Sequence, residues 1–246
     1  MIIGSKIIFH EKLVSTNLLA ADMLKTENLP EGTIVRAGFQ TGGRGQIGAE
    51  WESEESRNLL ISAILYPGKI KIAEQFLISM AISLGVFDFI SRHSARCKIK
   101  WPNDIYVFDE KISGILIENS VMNSSILNCI AGIGVNINQV TFTSDAPNPV
   151  SLKLIANTDF KIDKCLNELC LSLDKRYKSL ISESYDEIID DYNRNLYRKN
   201  EWHSFSDSQG EFEGKILSVS RFGIMTIETK NSKQKEYSFK EIDFIF

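Results

Sequence analysis

The chain has 246 residues, 43% hydrophobic and 24% charged, with a formal net charge of −4. That composition excludes a largely disordered protein and leaves material for one large α/β domain, with or without a small appendage. The acidic balance argues against nucleic acid as a partner, and there is no leader pattern and no run of 18 uncharged apolar residues, so a cytoplasmic protein with no membrane partner is expected.

In chain order, residues 2–9 read as a short first strand. Ser15-Thr16-Asn17 then precedes apolar residues at 18, 19, 23 and 24, the spacing of one helix face, so Ser15 or Thr16 suffices as a helix N-cap. A turn at residues 28–32 leads to a strand at 33–39. Next comes the loop Gln40-Thr41-Gly42-Gly43-Arg44-Gly45-Gln46-Ile47-Gly48-Ala49-Glu50-Trp51. Four glycines and one arginine within residues 42–48 let backbone N–H groups and a guanidinium approach a ligand, which is chemistry for an anion. Gly43, Gly45 and Gly48 also spell G-x-G-x-x-G, the dinucleotide fingerprint. That motif needs a helix at its end, and here residues 49–56 carry no apolar stripe and a strand-like run at 58–65 follows.

Residues 72–93 form the strongest helical pattern, apolar over a wide face, as for a helix packed across a sheet. Lys100-Trp101-Pro102-Asn103-Asp104 and Lys111-Ile112-Ser113-Gly114-Ile115-Leu116-Ile117-Glu118 read as strand, turn, strand. Pro102 cannot donate to a central ladder, so the chain bends there, and a hairpin would return Lys111 towards Asp104. A solvated charged turn explains the same local pattern. Residues 126–138 form another strand, with Gly132 and Gly134 marking close approach and Asn136 and Asn138 pointing to one side. Helices are expected at 151–156, capped by Ser151, at 163–184, and at 185–197, whose acidic run reads as a solvated face. From residue 201 glycine-punctuated alternation predicts a small β-barrel, with a boundary near Lys199 that divides the chain into residues 1–198 and 199–246. Cys97, Cys129, Cys165 and Cys170 read as buried reduced thiols, and His10, His93 and His203 have no metal-ligand spacing, so no metal ligands can be named.

Any one of Ser15-Thr16-Asn17, the glycine loop, the Lys100–Asp104 bend, the Lys111–Glu118 strand and Gly132-Ile133-Gly134-Val135-Asn136-Ile137-Asn138 is weak, but as an ordered set they resemble the biotin protein ligases. The resemblance implies an α+β fold, a mixed β-sheet packed with helices like the class II synthetase and biotin/lipoate ligase core, plus a C-terminal SH3-like barrel. It implies ATP and biotin as substrates, Mg²⁺, a biotinyl-5′-AMP intermediate, and transfer to a lysine on the biotin carboxyl carrier domain of a carboxylase, by a monomer or homodimer. By the same resemblance Lys111, Arg44 and Asp104 are the catalytic candidates. Ser15, Thr16, Asn17, Gln40, Gly43, Arg44, Lys111, Gly114 and Gly132 are biotin contacts, with Trp101 as a wall. Gly45, Gln46, Trp51, Lys100, Asn103, Asn136 and Asn138 serve the nucleotide, Asn138 reading the adenine.

Gln46 stands where the family often has a second arginine, and Ala49 where a basic residue is common, which removes positive charge from beside the adenylate. Only 14 residues precede Ser15, too few for a helix-turn-helix, so no DNA partner is expected. The alternatives are a lipoate or octanoate transferase, which shares the core but needs no Lys-Trp-Pro-Asn-Asp hairpin, and a non-catalytic carrier-binding module, against which Lys111 and Arg44 argue.

Overall fold

The computed structural model describes residues 1–46, 50–122, 125–143 and 148–245. Ile47, Gly48 and Ala49 of the glycine loop, and four residues of the loop expected at 144–149, lie outside the described residues.

Seven strands form one sheet in the order β1-β2-β3-β7-β6-β5-β4: β1 (Ile7–Leu13), β2 (Ile34–Gln40), β3 (Leu59–Leu65), β4 (Cys97–Lys100), β5 (Asp104–Val107), β6 (Glu110–Met122) and β7 (Ser125–Val135). β1 runs parallel to β2, and every other pairing is antiparallel. The first strand lies further along the chain than the sequence suggests. Ile2 and Ile3 donate their amides to Asp174 Oδ1, and Gly4 turns with φ +86, so these residues are pinned to a helix instead of pairing.

Period-two alternation separates the faces of the sheet. On β3, Ile61, Ala63 and Leu65 join the main core, while Ile64 packs with Ala20, Val35 and Ile130 on the opposite face under α1 (Thr16–Thr26). The main core is covered by α2 (Phe76–Ile90), preceded by a short 3-10 turn at Ile72–Glu74, by α4 (Ile162–Ile181) and by α5 (Tyr185–Arg194). By length and composition Ile72–Ile90 could cross a membrane; in this fold α2 is apolar all round because it is packed between the sheet and α4 and α5. A fully buried aliphatic side chain contributes about 1.5–3 kcal/mol, so this layer dominates the stability of the sheet. The short α3 (Leu152–Ala156) has the expected cap, Ser151 Oγ accepting from the Leu154 amide.

The acidic run of α5 is only partly a solvated face. Asp186 is exposed, but Asp191 accepts from Arg176 at 2.6 Å and from Arg194 at 2.7 Å, and Arg176 also pairs with Asp88 of α2. All four cysteines are buried free thiols, with Cys97 and Cys129 pushed up to about 12 by burial.

The C-terminal strands β8 (Trp202–Asp207), β9 (Gly210–Val219), β10 (Met225–Thr229), β11 (Gln234–Tyr237) and β12 (Ile242–Phe244) form a second, antiparallel sheet in the order β11-β10-β9-β8-β12. Among the described residues the ladders run from β11 to β12 without joining these two edges. This sheet is docked by specific bonds. Val219 donates to Asn193 Oδ1 at 2.7 Å and accepts from Asn193 Nδ2 at 2.9 Å, and Trp101 Nε1 donates to the Gly223 carbonyl at 3.1 Å.

Candidate functional site

On the α1 face of the large sheet, strand register aligns three cross-strand rows. Leu60, Gly134 and Gly114 lie opposite one another on β3, β7 and β6, and Asp104 and Lys100 continue that row across β5 and β4. Ser62, Gly132 and Leu116 make the second row; Ile64, Ile130 and Glu118 make the third. The glycines leave the floor low, and a cavity of ≈ 280 Å³ stands over it.

A register shift in the β5–β6 pairing decides which side Lys111 takes. In an unbroken strand, residues three apart point to opposite faces. Here Gly114 faces Asp104 but Lys111 faces Tyr106, so the bulge returns Lys111 to the face of Gly114. Lys111 Nζ consequently pairs with Asp104 Oδ2 at 2.8 Å, as the hairpin expectation required. Lys100 sits beside them, its ammonium 4.5 Å from the centre of the Phe244 ring and 5.5 Å from that of Tyr106. Burial pulls the Lys100 pKa down, Lys111 and Arg198 add to the effect, and Asp104 opposes it. A cation held partly dehydrated in this way gains from the arrival of a negative group.

The other end of the cavity is polar. Ser15 occupies the N-cap position of α1 but makes no side-chain capping bond. Thr16 gives both its amide, at 2.7 Å, and its hydroxyl, at 3.0 Å, to Gln40 Oε1. Ser62 Oγ lies 2.7 Å from Thr16 Oγ1 and 2.5 Å from Asn17 Oδ1. The amide nitrogen of Asn17 donates to Glu118 Oε2 at 2.7 Å, and Arg44 NH2 donates to the two oxygens of Glu118 at 3.0 and 3.2 Å.

Of the residues singled out in the sequence, Ser15, Thr16, Asn17, Gln40, Arg44, Gly45, Gln46, Trp51, Lys100, Asn103, Asp104, Lys111, Gly114 and Gly132 line this one cavity. Four do not: Gly43, Trp101, Asn136 and Asn138. Trp101 is 4% exposed, its indole turned into the core and bonded to Gly223, so it is no wall; Pro102 and Phe239 stand at the cavity instead. Strand β7 ends at Val135, and beyond it Asn138 exchanges both amide groups with the backbone of Phe160, leaving it committed to the fold. Asn136 Nδ2 donates to the Val150 carbonyl. The two expected ligand-facing glycines are also partly spoken for. A Cβ on Gly132 would come 2.3 Å from Asn17 Oδ1, and one on Gly114 would come 2.9 Å from the Trp51 ring.

Trp51 lies across Gly114 and Gly134, 6.0 Å from Lys111 Nζ, with its indole N–H buried and without a partner among the described residues. Sequence reasoning missed Ser62, Glu118 and Phe239 as parts of the site. Ser62 is a lone hydroxyl in an apolar strand, a signal that was available. Glu118 ended a recognised motif without a role, and Phe239 comes from the C-terminal sheet, where nothing local points to the cavity. Among the described residues no group of three His, Cys, Asp or Glu side chains is placed to hold a metal ion.

Hydroxyls, amides and the Arg44 guanidinium at one end, two ammonium groups at the other, and a low glycine floor between them define a small-molecule enzyme of the α+β class built for an anionic reactant. The profile of the Biotin/lipoate A/B protein ligase family matches residues 10–136. The chain belongs to that family. A Bacillus subtilis relative, Bifunctional ligase/repressor BirA, is 30% identical over 257 aligned positions that span 96% of this chain and 74% of the relative. The Biotin--[acetyl-CoA-carboxylase] ligase of Paracoccus denitrificans is 32% identical over 131 residues, 51% of this chain and 53% of that one. Among solved structures, the biotin protein ligase of Aquifex aeolicus in complex with biotin and ATP superposes with a TM-score of 0.78 at 25% identity, covering 97% of this chain and 98% of the other.

Proposed function

We propose that this chain is a biotin protein ligase that works in the cytoplasm in two steps. A biotin carboxylate oxygen attacks the α-phosphorus of ATP, the bond to the β-phosphate breaks, and pyrophosphate leaves biotinyl-5′-AMP. The amine of a carrier-domain lysine then attacks the acyl carbon, loses a proton and expels AMP. In this reading residues 1–198 carry the reaction, and residues 199–246 form a small second unit that lends Phe239 to the cavity.

The observation that carries the reading is the Lys111–Asp104 pair, 2.8 Å apart, set beside Lys100 in the same cavity as the Ser15–Thr16–Gln40 cluster. Step one brings an anionic nucleophile to an anionic phosphate, so its barrier falls when positive groups are already in place. Lys111 is assigned to the reacting carboxylate and α-phosphate, Arg44 and Lys100 to phosphate oxygens, and Asp104 to Lys111 and, in step two, to the incoming lysine, whose amine it orients. Ser15, Thr16 and Gln40 present both donors and acceptors to the ureido ring. Trp51, with its partnerless indole N–H, is assigned to the nucleotide, together with Gln46 and Asn103. Mg²⁺ held on a nucleotide needs only one or two carboxylates from the protein, which Asp104 and Glu50 in the cavity wall can supply, and it would neutralise phosphate charge.

The test is transfer of labelled biotin to a biotin carboxyl carrier domain. Lys111→Ala is expected to lose on the order of 10³-fold or more, because two negative groups then meet without their closest cation. Transfer by Lys111→Ala at the wild-type rate would remove the assignment.

A further inference from the structure

Glu118 does not line the cavity, yet its carboxylate is bonded to two residues that do, Asn17 and Arg44. The two partners come from separate parts of the chain. Arg44 reaches it from the glycine loop, and Asn17 reaches it from the first turn of α1. Asn17 is itself fixed: it is 3% exposed, its Oδ1 lies against Ser62 Oγ, and the missing side chain of Gly132 makes room for it. Ser62, Asn17, Glu118 and Arg44 therefore form one relay from β3 through α1 and β6 to the glycine loop.

We propose that Glu118 is a positioning residue of the ligase reaction, holding the Arg44 guanidinium over the cavity and locking the glycine loop to the biotin end. The inference rests on the function proposed above and deepens it. Glycine-rich backbone leaves an arginine free to sample many positions, and ordering it opposes binding. Both bonds to Glu118 come from one terminal nitrogen of Arg44, so the bonds to Glu118 do not use up the five-donor fork. Asn17, with both ends of its amide engaged inside the protein, acts in the same way, as a bracket for its neighbours.

The experiment measures release of biotinyl-5′-AMP from the wild type, Glu118→Ala, Glu118→Gln, Arg44→Ala and the Arg44→Ala/Glu118→Ala double variant, after confirming biotin-dependent ATP–pyrophosphate exchange by the wild type. Glu118→Ala is expected to release the adenylate about tenfold faster, the scale of ordering one long side chain. Glu118→Gln, which keeps shape and an acceptor for Asn17, falls between it and the wild type, and serves alone if the alanine variant does not fold. The double variant is expected to release no faster than Arg44→Ala, because Glu118 acts through Arg44. Wild-type release by both Glu118 variants, or effects of Arg44→Ala and Glu118→Ala that multiply, overturns the positioning role and leaves the proposed function standing. A wild type without exchange activity overturns the function, and the inference with it.

Discussion

At the scale of single residues, the site depends on side chains that are absent as much as on those present. Gly132 lies under Asn17 and Gly134 under Trp51, at distances no real Cβ tolerates: 2.3 Å to Asn17 Oδ1 and 2.4 Å to the Trp51 ring. A methyl group at 132 must push Asn17 out of its contact with Ser62 and so disturb the relay to Glu118. Gly132→Ala is therefore expected to weaken biotin binding about tenfold or more while costing about 1–3 kcal/mol of stability. Calorimetric titration and urea unfolding measure the two quantities separately. Unchanged biotin affinity would show that Asn17 has no part in binding.

At the scale of elements, the C-terminal sheet is tied to the site through the bend that carries Lys100, Asn103 and Asp104. Trp101 in that bend bonds to Gly223 and the Phe244 ring lies 4.5 Å from the Lys100 ammonium, while Tyr192 of α5 donates to the Pro102 carbonyl at 2.9 Å. Within the sheet, Asp207 ties three positions together, accepting from Lys235 at 2.9 Å, Tyr237 at 2.7 Å and the Gln209 amide at 2.8 Å. Lys235 first, then Tyr237 and the amide, hold its pKa at about 2 instead of its ordinary 3.8. A carboxylate whose folded pKa is depressed stabilises the fold above its unfolded value, and that contribution is lost as the pH falls through the folded one. Unfolding followed between about pH 4 and pH 2 is expected to show a loss of stability that is smaller in Asp207→Asn. Equal slopes for the two proteins would mean that Asp207 contributes nothing in that range.

At the scale of the whole molecule, residues far apart in the chain share one ligand site. Thr16, Arg44, Lys111 and Phe239 come from a helix, a loop, a strand and a turn of the second sheet, yet all line one cavity. A ligand that bridges those parts stabilises them together, by about 2.7 kcal/mol at a hundred times its dissociation constant. Biotin is expected to raise the unfolding temperature and lipoate to leave it unchanged. The reverse result would move the chain to the lipoate side of its family.

Much of this was legible in the sequence because it is local. The continuous apolar run of β3, the wide apolar face of α2 and the Ser151 cap depend on neighbours along the chain, and they appear where their spacing puts them. The resemblance carried by five short motifs likewise named most of the residues that meet in the cavity. What the spacing of Lys111 and Gly114 could not tell is that a bulge places them on one face, since a register shift is settled by the partner strand. Nor could it tell that Trp101 turns away into the core, that Asn138 is bound to Phe160, or that Glu118 joins Asn17 to Arg44. Chain spacing determined which chemical groups were available. Packing between distant segments decided which of them face the ligand, because a side chain's direction and its partners are fixed only when the whole sheet has closed around it.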